Sequence, residues 1–323
     1  GAEMTPIVTD GQPPDKTEDG EETTTPGGEP GGTDPTSSGT QVPTPINTIP
    51  ASENDIITET PEVLTMGPAI ININGQEYDF TQINAALAAI ETICTGGETA
   101  NITLLDDITW SDSSHFEIDS GWTVVLDLNG HALVGTNAEA FIQNSGTLTI
   151  NDSTAAAGSH GIGGGRIYTT NTDAQARHAI ANYGTLTING GIFGDKNTDP
   201  DDANDVQRGN ALRSFSGTAV INGGAFTACD NYTKGGYAYA IVSDGTGDII
   251  INYATVYGSM NGAISADGSS TLTVKGGSYT LKDEETGATS FRLVYTDESG
   301  TVDIQGGDFT RCVNNETAFF GPF

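Results

Sequence analysis

The chain has 323 residues, of which 43 are Asp or Glu and 11 are Lys or Arg, for a formal net charge of -32 at pH 7. A polyanion of this kind is repelled by phosphate backbones, which excludes nucleic acid as a partner. No apolar run approaches the ~20 residues a membrane helix needs, and Cys94, Cys229 and Cys312 have neither the number for a disulfide framework nor the spacing of a metal site.

Residues 1–66 carry ten of the thirteen Pro and thirteen acids against the single Lys16, with no Phe, Tyr or Trp. Such a segment cannot bury enough apolar surface to offset the entropy of ordering, so it is expected to be a disordered, acidic, Thr/Pro/Gly-rich linker. Residues 67–323 contain every aromatic and are expected to form one long domain. Between Tyr78 and Thr95, the spacing of Phe80, Ile83, Leu87 and Ile90 predicts a short amphipathic helix.

Beyond the helix the sequence repeats. Gly184-Thr-Leu-Thr-Ile-Asn-Gly-Gly-Ile-Phe193 returns as Gly217-Thr-Ala-Val-Ile-Asn-Gly-Gly-Ala-Phe226. Weaker copies run Gly247–Val256, Ser270–Tyr279 and Gly300–Phe309, and earlier ones fit Asn101–Ile108, Val125–Leu133 and Gly146–Asn151. Leu186 and Ile188 alternate with Thr185 and Thr187, the period of a strand with one buried face. One inward column is expected through Leu104, Leu128, Ile150, Ile188, Ile221, Ile251, Val274 and Ile304. The shortest gaps along it leave room for three short strands and three turns, one coil of a three-faced solenoid. The next residue is Asn at 129, 151, 189, 222 and 252, which predicts an asparagine ladder in tight turns at one corner. Phe193, Phe226, Tyr279 and Phe309 are expected to stack, with Val256 filling the intervening coil. A third strand is read from Ala140-Phe-Ile, Ala179-Ile-Ala, Ala211-Leu-Arg, Ala240-Ile-Val, Ala263-Ile-Ser and Arg292-Leu-Val. The helix would cap one end of the solenoid and Phe319-Phe-Gly-Pro-Phe323 the other. Cys229 and Cys312, three coils apart, would lie too far from each other for a disulfide.

Val125-Leu-Asp-Leu-Asn-Gly-His-Ala-Leu133 and Asn144-Ser-Gly-Thr-Leu-Thr-Ile-Asn-Asp152 resemble a recurrent pattern of bacterial cell-surface proteins in the pectate-lyase-like right-handed β-helix group. The likeness spans about Ile70 to Thr310. It implies an all-β fold: a single-stranded right-handed parallel β-helix of about eight coils with a short N-terminal capping helix. It also implies an extracellular location on the bacterial cell surface and the role of an adhesin or of a protein of unknown ligand. Other β-helices are lyases, hydrolases or tailspikes, so fold does not settle activity.

The large insertions, Ser153–Arg177, Gly194–Asn210, Thr227–Tyr239 and Thr280–Phe291, are all read as following the aromatic position, and so as stacking into one rim. Asp195, Asn197, Asp199 and Asp201 have the alternation of a calcium loop, but Pro200 and Val206 stand where its glycine and glutamate belong, so a solvated acidic loop competes with calcium as the only cofactor considered. Tyr232, Tyr237 and Tyr239 suit stacking on sugar rings or simply cover the coil beneath, and Arg177 and Arg213 could pair acidic sugars or the acidic loop. For a lyase, Asp201 facing Arg213 is the only pairing, with His178 the remaining catalytic candidate at the rim. Fragments of a polygalacturonase site, such as Asn171-Thr-Asp173 and Ser159-His-Gly161, occur in the wrong order. Thr147, Thr185 and Thr271 recur outward, but Val220, Ile250 and Asp303 interrupt any flat threonine array of the ice-binding kind. The expectation is a monomeric, non-catalytic carbohydrate-binding or adhesin protein for a polysaccharide, glycan or host-surface ligand. A polysaccharide lyase or glycoside hydrolase acting at the same rim is the alternative.

Overall fold

The computed structural model describes residues 68–110, 115–136, 140–169, 178–194, 210–228, 239–258, 262–281, 293–297, 299–310 and, for the backbone, 319–320. Residues 1–66, expected to be a linker, lie outside them, as do Cys229, Cys312 and Phe323.

After the helix, the chain visits three sheets in strict rotation. Coils follow one another along the first sheet through Thr99–Leu104, Thr123–Asp127, Thr147–Asn151, Thr185–Ile188, Thr218–Ile221, Asp248–Ile251, Thr271–Val274 and Thr301–Ile304. The second sheet runs from Ile108–Trp110 to Asp308–Thr310, and the third from Phe116–Ile118 to Phe319–Phe320. Every coil-to-coil pairing is parallel, for example Leu186↔Ala219 and Ile188↔Ile221. The protein is therefore all-β, built of long parallel sheets and consistent with a parallel β-helix.

Alternation buries one side chain in two along the first sheet: Leu186, Ile188, Ile221 and Ile251 are fully buried. The aromatic column forms as expected. Phe193 stacks on Phe226 at 4.9 Å and Tyr279 on Phe309 at 4.6 Å, with Val256 paired to both Phe226 and Tyr279 between them. The helix spans Ile83–Thr95, preceded by a 3-10 turn, Phe80–Gln82. Asp79 accepts from the Thr81 N–H while Gln82 accepts from the Asp79 N–H, a reciprocal cap. Ala86, Ile90 and Cys94 are its buried face, whereas Phe80 points outward.

The edge of the first sheet carries a hairpin that the repeat reading passed over. Ile71–Ile73 and Gln76–Tyr78 pair antiparallel around Asn74 and Gly75, both at positive φ, and the first of these strands pairs antiparallel with Thr99–Leu104. Asn-Gly between alternating residues is the signal of such a turn, and here it closes an otherwise open strand edge.

The structure corrects the register of the first coils. Leu126 and Ile102, rather than Leu128 and Leu104, align with Ile150. Asn151 consequently sits opposite Asp127, and Asn129 leaves the ladder: it adopts φ 47° and donates to the Leu104 carbonyl. The ladder proper is Asn189 to Asn151, Asn222 to Asn189 and Asn252 to Asn222, each amide donating across 2.7–2.8 Å. These four have negative φ, so cross-coil bonding and not a left-handed turn selects asparagine there.

A second ladder lies inside the solenoid at the third-to-first corner. Asn144 donates to Asn182 at 2.8 Å and Asn182 to the Ser214 hydroxyl at 3.0 Å, all three fully buried. Buried groups lose more than exposed ones when a partner goes. Asn182→Ala is expected to cost about 2–3 kcal/mol and Asn222→Ala about 1 kcal/mol or less, measured by urea unfolding of the two variants.

The insertion after Asn151 is also corrected. The strand Arg166–Thr169 pairs with Ala132–Gly135 and Ile192–Phe193, so residues 153–165 occupy the first-to-second corner rather than the rim before the third sheet. Ile167 occupies the place of Phe193, which hid the strand from a search for aromatics. The loop packs on the Gly-Gly pairs. A Cβ on Gly190 would come within 2.5 Å of the Gly161 carbonyl oxygen, and one on Gly223 within 2.3 Å of that of His160. His160 then stacks on Tyr253 at 3.6 Å. Asp152 anchors the loop, accepting from the N–H groups of Gly130 and Gly165 and from the Thr154 hydroxyl.

Candidate functional site

The rim residues Asp195, Asn197, Asp199, Asp201, Tyr232, Tyr237 and Arg177 lie outside the described residues, so neither the calcium loop nor the Asp201–Arg213 pairing has a geometry. Three candidates, His178, Arg213 and Tyr239, are placed on the third sheet, in the strands His178–Asn182, Leu212–Ser214 and Tyr239–Ser243. Tyr239 stacks on Tyr295 at 5.8 Å. His178 and Arg213 belong to a different grouping.

The residue that follows each third-sheet strand leaves the interior just before the chain turns back to the first sheet. Its N–H bonds to the carbonyl one coil earlier: Tyr183 to Asn144, Phe215 to Asn182, Asp244 to Ser214, Asp267 to Ser243 and Asp297 to Ala266. Beyond Ser145, whose N–H bonds to the Ile118 carbonyl in the same way, Tyr183, Phe215, Asp244, Asp267 and Asp297 therefore form one column up the corner, first aromatic and then acidic.

Tyr183, 42% exposed, stacks nearly parallel on Phe215 at 5.0 Å. The Arg213 guanidinium lies 4.7 Å from the Phe215 centroid and donates through Nε and Nη2 to Asp244 Oδ2 at 3.0 and 2.6 Å. Arg213 thus joins the two parts of the column, as a planar delocalised cation can. His178 meets Phe215 edge-on at 5.9 Å, and its buried Nδ1 has no hydrogen-bond partner among the described residues. Burial, followed by the Arg213 charge, lowers its pKa to about 4, so the ring is neutral at ordinary pH.

The carboxyls diverge. Burial, then the charges of Asp297 and Asp244, push Asp267 up to about 6. Backbone N–H groups of Gly268, Gly300 and Ser299 hold Asp297 below the usual carboxylate range. Asp267 Oδ1 is buried and without a partner among the described residues. Adjacent acids pulled apart in this way can serve as proton donor and acceptor. Among the described residues no three His, Cys, Asp or Glu side chains converge as a metal centre.

Sequence reasoning missed this column, although Tyr183-Gly184, Asp244-Gly245 and Asp267-Gly268 mark it as the residue preceding a corner glycine. His131 is partly exposed, its Nδ1 3.6 Å from Asp107 Oδ1. No helix among the described residues is long and apolar enough to cross a membrane. No protein-family model matches the chain, and neither a curated protein nor a solved structure is detectably similar to it.

Proposed function

We propose that this chain is a monomeric, non-catalytic glycan-binding protein of adhesin type, a right-handed parallel β-helix of about eight coils displayed on a bacterial surface beyond the acidic segment 1–66. Parallel crossover connections are right-handed in nearly every known case, which supports the hand. The repeat's resemblance to surface β-helices supports the location. The observation that carries the binding reading is the exposed Tyr183 stacked on Phe215, with the Arg213–Asp244 pair one coil away. An exposed tyrosine ring suits the apolar face of a pyranose, while a fixed guanidinium and carboxylate suit its hydroxyls. Strands joined to neighbours on both sides hold these groups rigid, so little ordering entropy opposes binding.

A glycan array followed by calorimetry on any ligand found is the test. Tyr183→Ala is expected to weaken binding about tenfold, equivalent to ~1.4 kcal/mol, with no product released. Unchanged affinity in that variant defeats the assignment.

The divergent Asp267 and Asp297 favour a second reading, a polysaccharide hydrolase or lyase. New reducing ends would mark the hydrolase and unsaturated ends the lyase, and either should vanish in Asp267→Asn.

A further inference from the structure

The capping helix does not lie flush on the first coil. Between them is a groove of about 430 Å³, within the range of small-ligand sites. Leu87 of the helix, Trp110, Phe116 and Trp122 form its apolar surface, and Glu91, Glu117 and Asp119 bring carboxylates to it. Trp110 and Phe116 are buried and meet edge-on at 5.8 Å, which fixes the floor, while Trp122 is partly exposed as a wall. His115 is oriented by its Nδ1 donating to the Ala140 carbonyl. Among the described residues no Lys or Arg lines the groove.

The partly exposed Trp122 indole, beside the floor made by Trp110 and Phe116, favours a ligand with a flat C–H face or a cation above the ring. Three exposed carboxylates without a basic partner favour one that supplies hydrogen-bond donors and positive charge. A uronic acid would be repelled, and a neutral sugar would leave the carboxylates uncompensated. We infer that this groove is a binding site for a pyranose bearing an ammonium group, separate from the Tyr183 column and independent of the function assigned to it.

The chain holds two Trp, and both line the groove, so tryptophan emission reads its occupancy. The probe is the trisaccharide of glucosamine, titrated at a pH where its amines are charged, with the N-acetylated trisaccharide as comparator. The expected result is a saturable emission change with the amine form and affinity about tenfold weaker for the acetylated form. In the double variant Glu117→Gln/Asp119→Asn, binding of the amine form should fall about tenfold with an unchanged far-UV spectrum, since both side chains are exposed. Tyr183→Ala should titrate as the wild type does. No saturable change, or equal affinity for the two sugars, overturns the inference. So does an unaltered double variant, which would mean diffuse attraction to a chain of charge -32.

Discussion

Phe226→Ala should lower the unfolding free energy by about 3–5 kcal/mol, the upper range for core truncations. The ring is fully buried, stacked on Phe193, and Val256 follows it in the next coil. Cavity cost depends on how far the surroundings can collapse. Here they can collapse little, because ladders on three sheets hold neighbouring coils at the ~4.8 Å strand spacing. Phe226→Leu, which keeps most of the volume, should cost about 1–1.5 kcal/mol. Phe309 lies in the last strand of the second sheet and is only partly buried, so Phe309→Ala should cost less than half as much as Phe226→Ala. Urea unfolding of the three variants measures the order. Equal losses at positions 226 and 309 would remove the aromatic stack as the origin of the effect.

The second large effect concerns pH. His178 has a folded pKa near 4 against 6.5 in a free chain, so below pH 6.5 the unfolded state takes up a proton that the folded state refuses. Its contribution is complete above pH 6.5 and falls as the pH drops toward 4, on the order of 3 kcal/mol in total. Asp267 has the opposite sign. The folded state keeps its proton up to about pH 6, whereas a free carboxyl releases it near 3.8, so stability declines as pH rises through that window. Because Asp267 is only partly buried, solvent screening reduces this to about 1–2 kcal/mol. The two slopes oppose each other across the same range, and the wild type should keep only their difference, a gain of about 1–2 kcal/mol as the pH rises from 4 to 6.5. Asp267→Asn should expose the histidine slope, with Tm rising as pH increases from 4 to 6.5. His178→Gln should leave Tm falling over the same interval. Thermal unfolding at several pH values gives the comparison, and parallel curves for the three proteins would refute the opposed pair.

Much of the architecture was legible because a solenoid writes each structural column into the sequence as a repeat. The aromatic stack, the Asn151 to Asn252 ladder and the capping helix could all be read from residue type and spacing. The hairpin at Asn74-Gly75 was readable too, from its turn dipeptide, but a search for repeats does not register a unit that occurs once. The candidate site was much less legible. Tyr183, Phe215, Asp244, Asp267 and Asp297 share a backbone position and not a chemistry, so no residue pattern links them before the corner is built.

By itself the sequence determined the period of each strand, the three strands per coil and which face of each is apolar, since these follow from alternation and turn residues. Only the tertiary structure decided the register. A slip of two residues keeps every side chain on its own face, so Leu128 is as apolar a candidate as Leu126, and only cross-coil hydrogen bonds choose between them. The tertiary structure likewise decided which corner receives residues 153–165 and how Arg213 pairs with Asp244. Both depend on contacts between coils tens of residues apart, where local propensity has no influence.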